Sequence, residues 1–154
     1  MYNLSELLRG GTCCLSKAGL AVGSAGATVD IAAPNGAGID YAIDGIVYHK
    51  ADTANNAITA AAIQAELYSC LYLVQIDKDG TVSTVKGTAV LTADVGVTPL
   101  VWPSPAASNC PIGGFRIDCA SGYTYTPGTT LNSATGITDT YYDFFTVPPG
   151  HITS

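Results

Sequence analysis

The dipeptide Asp44-Gly45 constrains this chain more than any other feature of its sequence. It stands between Ile39-Asp40-Tyr41-Ala42-Ile43 and Ile46-Val47-Tyr48-His49-Lys50. A two-residue type I′ turn needs positive φ at both central positions, and glycine adopts it without strain. The spacing therefore predicts a β-hairpin over 39–50, with Ile39, Tyr41 and Ile43 on one face. A second hairpin follows the same logic. Tyr68 to Ile76 is a dense apolar run, Asp77-Lys78-Asp79-Gly80 turns the chain, and Thr81 to Lys86 returns. Such a run suits a central strand buried on both faces.

Further along, Ile112 to Ala120 is expected to pair with Tyr123-Thr124-Tyr125-Thr126 across Ser121-Gly122. Pro127-Gly128 signals a type II turn. Tyr141 to Val147 predicts a last, aromatic strand, ended by Pro148-Pro149-Gly150. Residues 87–111 read as loop, because Thr98-Pro99, Trp102-Pro103-Ser104-Pro105 and Cys110-Pro111 exclude regular helix and central strand. One helix is predicted over 57–66, capped by Asn55 or Asn56, alanine-rich, with Ile58, Ile63 and Leu67 as its apolar stripe. The sum is a mainly β fold, a small antiparallel β-sandwich or barrel with one short helix.

Residues 12–36 are thick with Gly and Ala, with a short alternating strand at Thr28-Val29-Asp30-Ile31 and a turn at Pro34-Asn35-Gly36. This stretch is too poor in large side chains to build a core alone. It is expected to lie along another surface, its own or a neighbour's. The chain thus divides into an extended N-terminal arm, 1–36, and a β-rich domain, 37–154. Within the arm, Leu4, Leu7 and Leu8 are candidates to dock on a neighbour.

Composition narrows the function classes. Charged residues make up 12% of the 154, about half the usual share of roughly 25%. Six Lys and Arg against twelve Asp and Glu give a net charge of −6, which offers no electrostatic footprint for nucleic acid. No apolar run approaches the roughly 18 residues of a membrane span. The N-terminus lacks the basic region and apolar core of a signal peptide, so synthesis and retention in a cytoplasm are expected. Cys13, Cys14, Cys70, Cys110 and Cys119 are an odd set without a C-x-x-C, which favours reduced thiols over disulfides or zinc.

Catalytic patterns are weak throughout. His49 and His151 are the candidate bases of the usual kind, one at a hairpin end and one in the tail, and no G-x-S-x-G occurs. Asp77-Lys78-Asp79-Gly80 starts like a calcium loop, but the twelfth position is Thr88 where a bidentate Glu is needed. Nothing sets two carboxylates facing for glycoside hydrolysis, and the glycines do not form G-x-G-x-x-G. The expectation is a protein that is not an enzyme, with no cofactor and no metal. The aromatic cluster is more informative. Tyr142 and Phe144 share one face of a strand, and Tyr141 and Phe145 the other. With both faces apolar, the strand is central or touches a partner. Together with Trp102 in its Pro-rich loop, these four residues are the candidate interface anchors.

Several strings then resemble a family. They are Leu73-Val74-Gln75-Ile76-Asp77-Lys78-Asp79-Gly80-Thr81-Val82 with Val85-Lys86-Gly87, Cys110-Pro111-Ile112-Gly113-Gly114-Phe115-Arg116-Ile117, Thr126-Pro127-Gly128-Thr129-Thr130-Leu131, and Gly136-Ile137-Thr138-Asp139-Thr140-Tyr141-Tyr142. These resemble small virion proteins of tailed bacteriophages that decorate or cement the head or form head fibres, over roughly residues 37–147. The resemblance implies a β-rich structural protein on the outer capsid surface, made in the host cytoplasm. Its implied partners are the major capsid protein and itself, as a homotrimer or a dimer. Two other readings stand beside it: a tail or fibre-base component, and a carbohydrate-binding module for host attachment.

Overall fold

A computed structural model of the chain describes residues 11–24, 27–34 and 36–145. These residues form eleven strands in three antiparallel sheets. The first sheet holds β1 (Cys13–Cys14), β4 (Ile39–Ile43) and β5 (Ile46–Lys50), in the order β1-β4-β5. The second holds β2 (Leu20–Val22), β3 (Thr28–Ile31) and β6 (Thr53–Ala57), in the order β2-β3-β6. The third is built from β7 (Tyr68–Asp77), β8 (Val82–Lys86), β9 (Val90–Leu91), β10 (Asn109–Cys119) and β11 (Ile137–Asp143). Its order is β11-β10-β7-β8, with β9 also paired to β7. None of the sheets closes into a barrel, and the arrangement is sandwich-like. β2 lies against β11, β6 against β8, and β1 and β4 against β10.

The two hairpins form as the turn chemistry dictates. Asp44 and Gly45 take φ of 51° and 78°, and Ile43 faces Ile46 directly across the turn. In the second hairpin, Asp77 Oδ1 accepts the amides of Asp79 (2.9 Å) and Thr81 (2.8 Å). That carboxylate organises the turn, as Asx turns do. β7 is buried from Ser69 to Ile76. Its Cys70, Tyr72, Val74 and Ile76 join the core with Phe115 and Ile117 of β10. Its other face, Leu71, Leu73 and Gln75, is also buried. The Pro-rich segment covers it: Gln75 Oε1 accepts the amide of Ala106 at 2.8 Å.

Residues 57–66 form no helix; Ala57 ends β6 and the segment is irregular. A ten-residue helix is marginal alone, and here its backbone groups are claimed by neighbours. Ile58 donates to Ala27 O at 3.3 Å, and Gln64 and Tyr125 exchange both main-chain bonds at 2.8 and 3.1 Å. The Thr59 amide donates to Thr84 Oγ1, and the Thr84 amide to Thr59 Oγ1, both at 3.0 Å. The expected stripe fails with the helix. Ile58 is buried, but Ile63 is 63% exposed, while Gln64 is 1% exposed. The one helical element among the described residues is a 3₁₀ turn, Thr92–Asp94.

β10 also departs from expectation: it starts at Asn109 and, although central, takes in Cys110-Pro111, the proline being accommodated where the register with β7 shifts between Pro111 and Gly113. The strand's hairpin partner is not Tyr123–Thr126 but β11, with Phe115 opposite Tyr141. Tyr125 is drawn into the core instead, its hydroxyl donating to Asn132 Oδ1 at 2.6 Å and its ring edge-on to Tyr72. That burial takes the segment out of the sheet. The last strand accordingly runs over Ile137–Asp143 and not from Tyr141 onward, and it is an edge strand, not a central one. Residues 146–154 lie outside the described residues.

The Gly/Ala-rich stretch lies along the domain's own surface. β1 pairs with β4 and β3 with β6. Cys14, Ala18, Leu20, Val29 and Ile31 belong to the common core. Within the described residues, the expected arm is therefore part of the domain from Cys13 on.

Candidate interaction surface

The outer face of β10 needs a residue without a side chain at position 114. A Cβ on Gly114 would come within 2.3 Å of Trp102 Cζ3. Glycine lets the indole lie directly on the strand. Trp102 is half-buried there and meets two rings of the chain's last described stretch. Tyr142 packs edge-on at 5.7 Å and 82°, and Phe144 at 5.0 Å and 89°. Tyr142 and Phe144 thus share one face, as strand alternation requires, and the loop delivers Trp102 to it. Tyr142 is 40% exposed and Trp102 and Phe144 are half-buried, so the cluster is fixed in place but partly open to solvent; Phe145, outside the cluster, is 48% exposed. Asp143 anchors this end, accepting the amide of Leu20 at 2.9 Å.

Tyr141 sits on the opposite, inner side. It packs on Phe115 at 5.7 Å, and its hydroxyl accepts from Asn132 Nδ2 at 2.8 Å. It is a half-buried residue packed against the core, with a polar tip. Leu4, Leu7 and Leu8 lie outside the described residues.

Sequence reasoning missed two buried amides. Gln64 Nε2 donates to Tyr68 O (2.7 Å) and Ile117 O (2.9 Å), and its Oε1 accepts from the Tyr72 hydroxyl (2.9 Å). Asn132, fully buried, bridges the hydroxyls of Tyr125 and Tyr141. Nothing in the local pattern marks either, because their partners come from distant segments. A third polar group ties β7, β10 and the 3₁₀ turn. Ser69 donates to Asp118, Arg116 Nε holds the same carboxylate oxygen at 2.8 Å, and Thr92 Oγ1 lies 3.0 Å from Ser69 Oγ. His49 is exposed, with Nδ1 2.8 Å from Asp40 Oδ1.

The five thiols are free. Burial pushes the Cys14 thiol up to about 11 and Cys110 up to about 12. Burial likewise raises Cys70, Cys119 and the phenols of Tyr72, Tyr125 and Tyr141. A raised folded-state value favours the protonated form. The resulting stability is complete below the unfolded thiol value near 9 and is lost as pH rises toward the folded values. The expected result is a melting temperature that falls steadily from pH 9 to pH 11. At pH 8, an alkylating reagent should label half-buried Cys13 in the folded protein and the other four only after unfolding. Peptide mass spectrometry checks this, and rapid labelling of Cys110 would contradict it.

Among the described residues, no three His, Cys, Asp or Glu side chains are grouped to hold a metal. No described helix is long and apolar enough to cross a membrane. No protein-family model, curated protein or solved structure matches the chain.

Proposed function

We propose that this chain is a structural virion protein of the head decoration or cement type, binding the outer capsid surface of a tailed phage and tying adjacent major capsid subunits. The observation that carries the reading is the Trp102–Tyr142–Phe144 cluster beside the open edge of the five-stranded sheet. Large aromatic rings are effective anchors, and those of Trp102 and Tyr142 also carry a polar tip. An adjacent strand edge offers main-chain groups to a partner. Holding the indole on Gly114 means that little side-chain freedom is lost on docking. The low share of charged residues, 12%, suits a surface buried in an assembly. The family resemblance of the strand and turn strings points the same way.

The sugar-binding reading needs exposed, coplanar aromatics. Trp102 meets both neighbours near a right angle, which favours a protein contact over a sugar platform. The tail or fibre-base reading predicts few copies per particle.

The test adds purified protein to phage shells that lack it. Wild type should bind in many copies, and Trp102→Ala should bind at least about tenfold more weakly, as for a truncated hot-spot residue. Equal occupancy by a folded Trp102→Ala protein would remove the cluster from the contact.

A further inference from the structure

The sheet β1-β4-β5 has an open edge of its own at β5. Solvent reaches apolar side chains on both faces of this strand: Ile46 is 59% and Val47 63% exposed. Tyr48 is half-buried and stacks on Tyr41 at 5.7 Å and 23°. Across a two-residue turn, Ile43 and Ile46 exchange both main-chain bonds, and then every second pair does so, Tyr41 with Tyr48 and Ile39 with Lys50. The intervening residues point their main-chain groups away from the hairpin. Asp40 shows this directly: its amide donates to Ser16 Oγ at 2.8 Å and its carbonyl accepts from Leu15 at 2.9 Å. By the same alternation, Val47 and His49 aim their amides and carbonyls outward, where no described residue meets them. An edge both apolar and unpaired is normally covered in a native protein.

We propose that β5 pairs antiparallel with β5 of a second copy, forming a two-fold dimer with one continuous six-stranded sheet. The register names the occupant. The two outward residues flank Tyr48 symmetrically, so an axis beside Tyr48 sets Val47 of each copy opposite His49 of the other. Each such pair exchanges both main-chain bonds and no outward group is left over. The two Tyr48 residues then meet in the close position without main-chain bonds, and the Tyr41–Tyr48 stack extends into a row of four rings. Lys50 falls opposite Ile46 of the other copy, so no like charges face each other directly. Pairing β5 with β11 of another copy would be heterologous and would propagate as an open chain, whereas the two-fold pairing closes. The dimer does not depend on the capsid reading, which rests on the other sheet.

Sedimentation of the full chain tests it. Wild type should behave as a particle of twice 15.7 kDa. Val47→Pro removes an outward amide and leaves the β4–β5 ladder bonds in place. It should weaken association at least tenfold, giving a folded monomer at the same concentration. If that variant does not fold, cysteine cross-linking replaces it. On addition of a thiol oxidant, Tyr48→Cys should link two copies through residue 48, read from the joined peptides. Val47→Cys should not link to itself. A monomeric or trimeric wild type, a dimer that survives Val47→Pro, or linkage at 47 and not 48 would overturn the pairing.

Discussion

Replacing Gln64 by leucine should destabilise the fold by about 3 to 4 kcal/mol. The substitution nearly conserves volume and increases hydrophobicity, so a simple burial argument would predict a gain. The hydrogen bonds decide otherwise. The amide satisfies the Tyr72 hydroxyl and two carbonyls, Tyr68 O and Ile117 O, at 2.7 to 2.9 Å. Tyr72 is fully buried, so its hydroxyl would have no water to turn to, and a buried unsatisfied group costs about 1 to 3 kcal/mol. The adjacent residue supplies the control. Ile63→Ala, at a position 63% exposed, should change stability by less than about 0.5 kcal/mol. Urea unfolding of the two variants measures both. If Ile63→Ala proved the more damaging, residues 57–66 would form the amphipathic helix and not the segment described above.

Phe115→Ala should cost about 4 kcal/mol, within the range for deleting a buried aromatic ring. Phe115 has no exposed surface and stands at the middle of β10, between Tyr72 of β7 and Tyr141 of β11. Its ring lies parallel to Tyr72 at 5.1 Å and 7°, and 5.7 Å from Tyr141. With Tyr125 edge-on to Tyr72, four rings run through the core, and Phe115 is one of the two inner members. Its neighbours cannot collapse into the void freely. Asn132 holds Tyr125 and Tyr141 by their hydroxyls, and Gln64 holds Tyr72. The cavity term should therefore be nearly complete. Phe115→Leu, which keeps more of the volume, should lose less than half as much in the same urea titration. Equal losses would mean that ring packing contributes little.

Gln64 and the ring stack around Phe115 depend on partners distant in sequence, so no local pattern marks them, whereas the hairpins and β7 are legible. The hairpins are readable because Asp44-Gly45 fixes a backbone geometry that few sequences adopt, and the register follows from the turn. β7 is readable because nothing but double-sided burial explains so dense an apolar run. The helix over 57–66 is misread because alanine-rich propensity is worth little against main-chain bonds to Ala27 and Tyr125, residues far away in sequence. The partner of β10 is misread for a related reason. Ser121-Gly122 is a genuine turn, but it leads Tyr125 into the core, and the edge is filled from Ile137 onward. The shared face of Tyr142 and Phe144 follows from strand periodicity alone, and the Trp102 loop does reach it. The inward place of Tyr141 depends on Asn132 and Phe115, which no local pattern connects to it.

The low charge and the partly exposed rings acquire a common meaning if this surface is covered in an assembly. Imaging of intact phage particles, with the protein counted and located, tests that claim most directly. A head decoration protein should be present in many copies on the outer capsid, with Trp102, Tyr142 and Phe144 facing the shell. A few copies on the tail, or a capsid position with these rings turned to solvent, would contradict it.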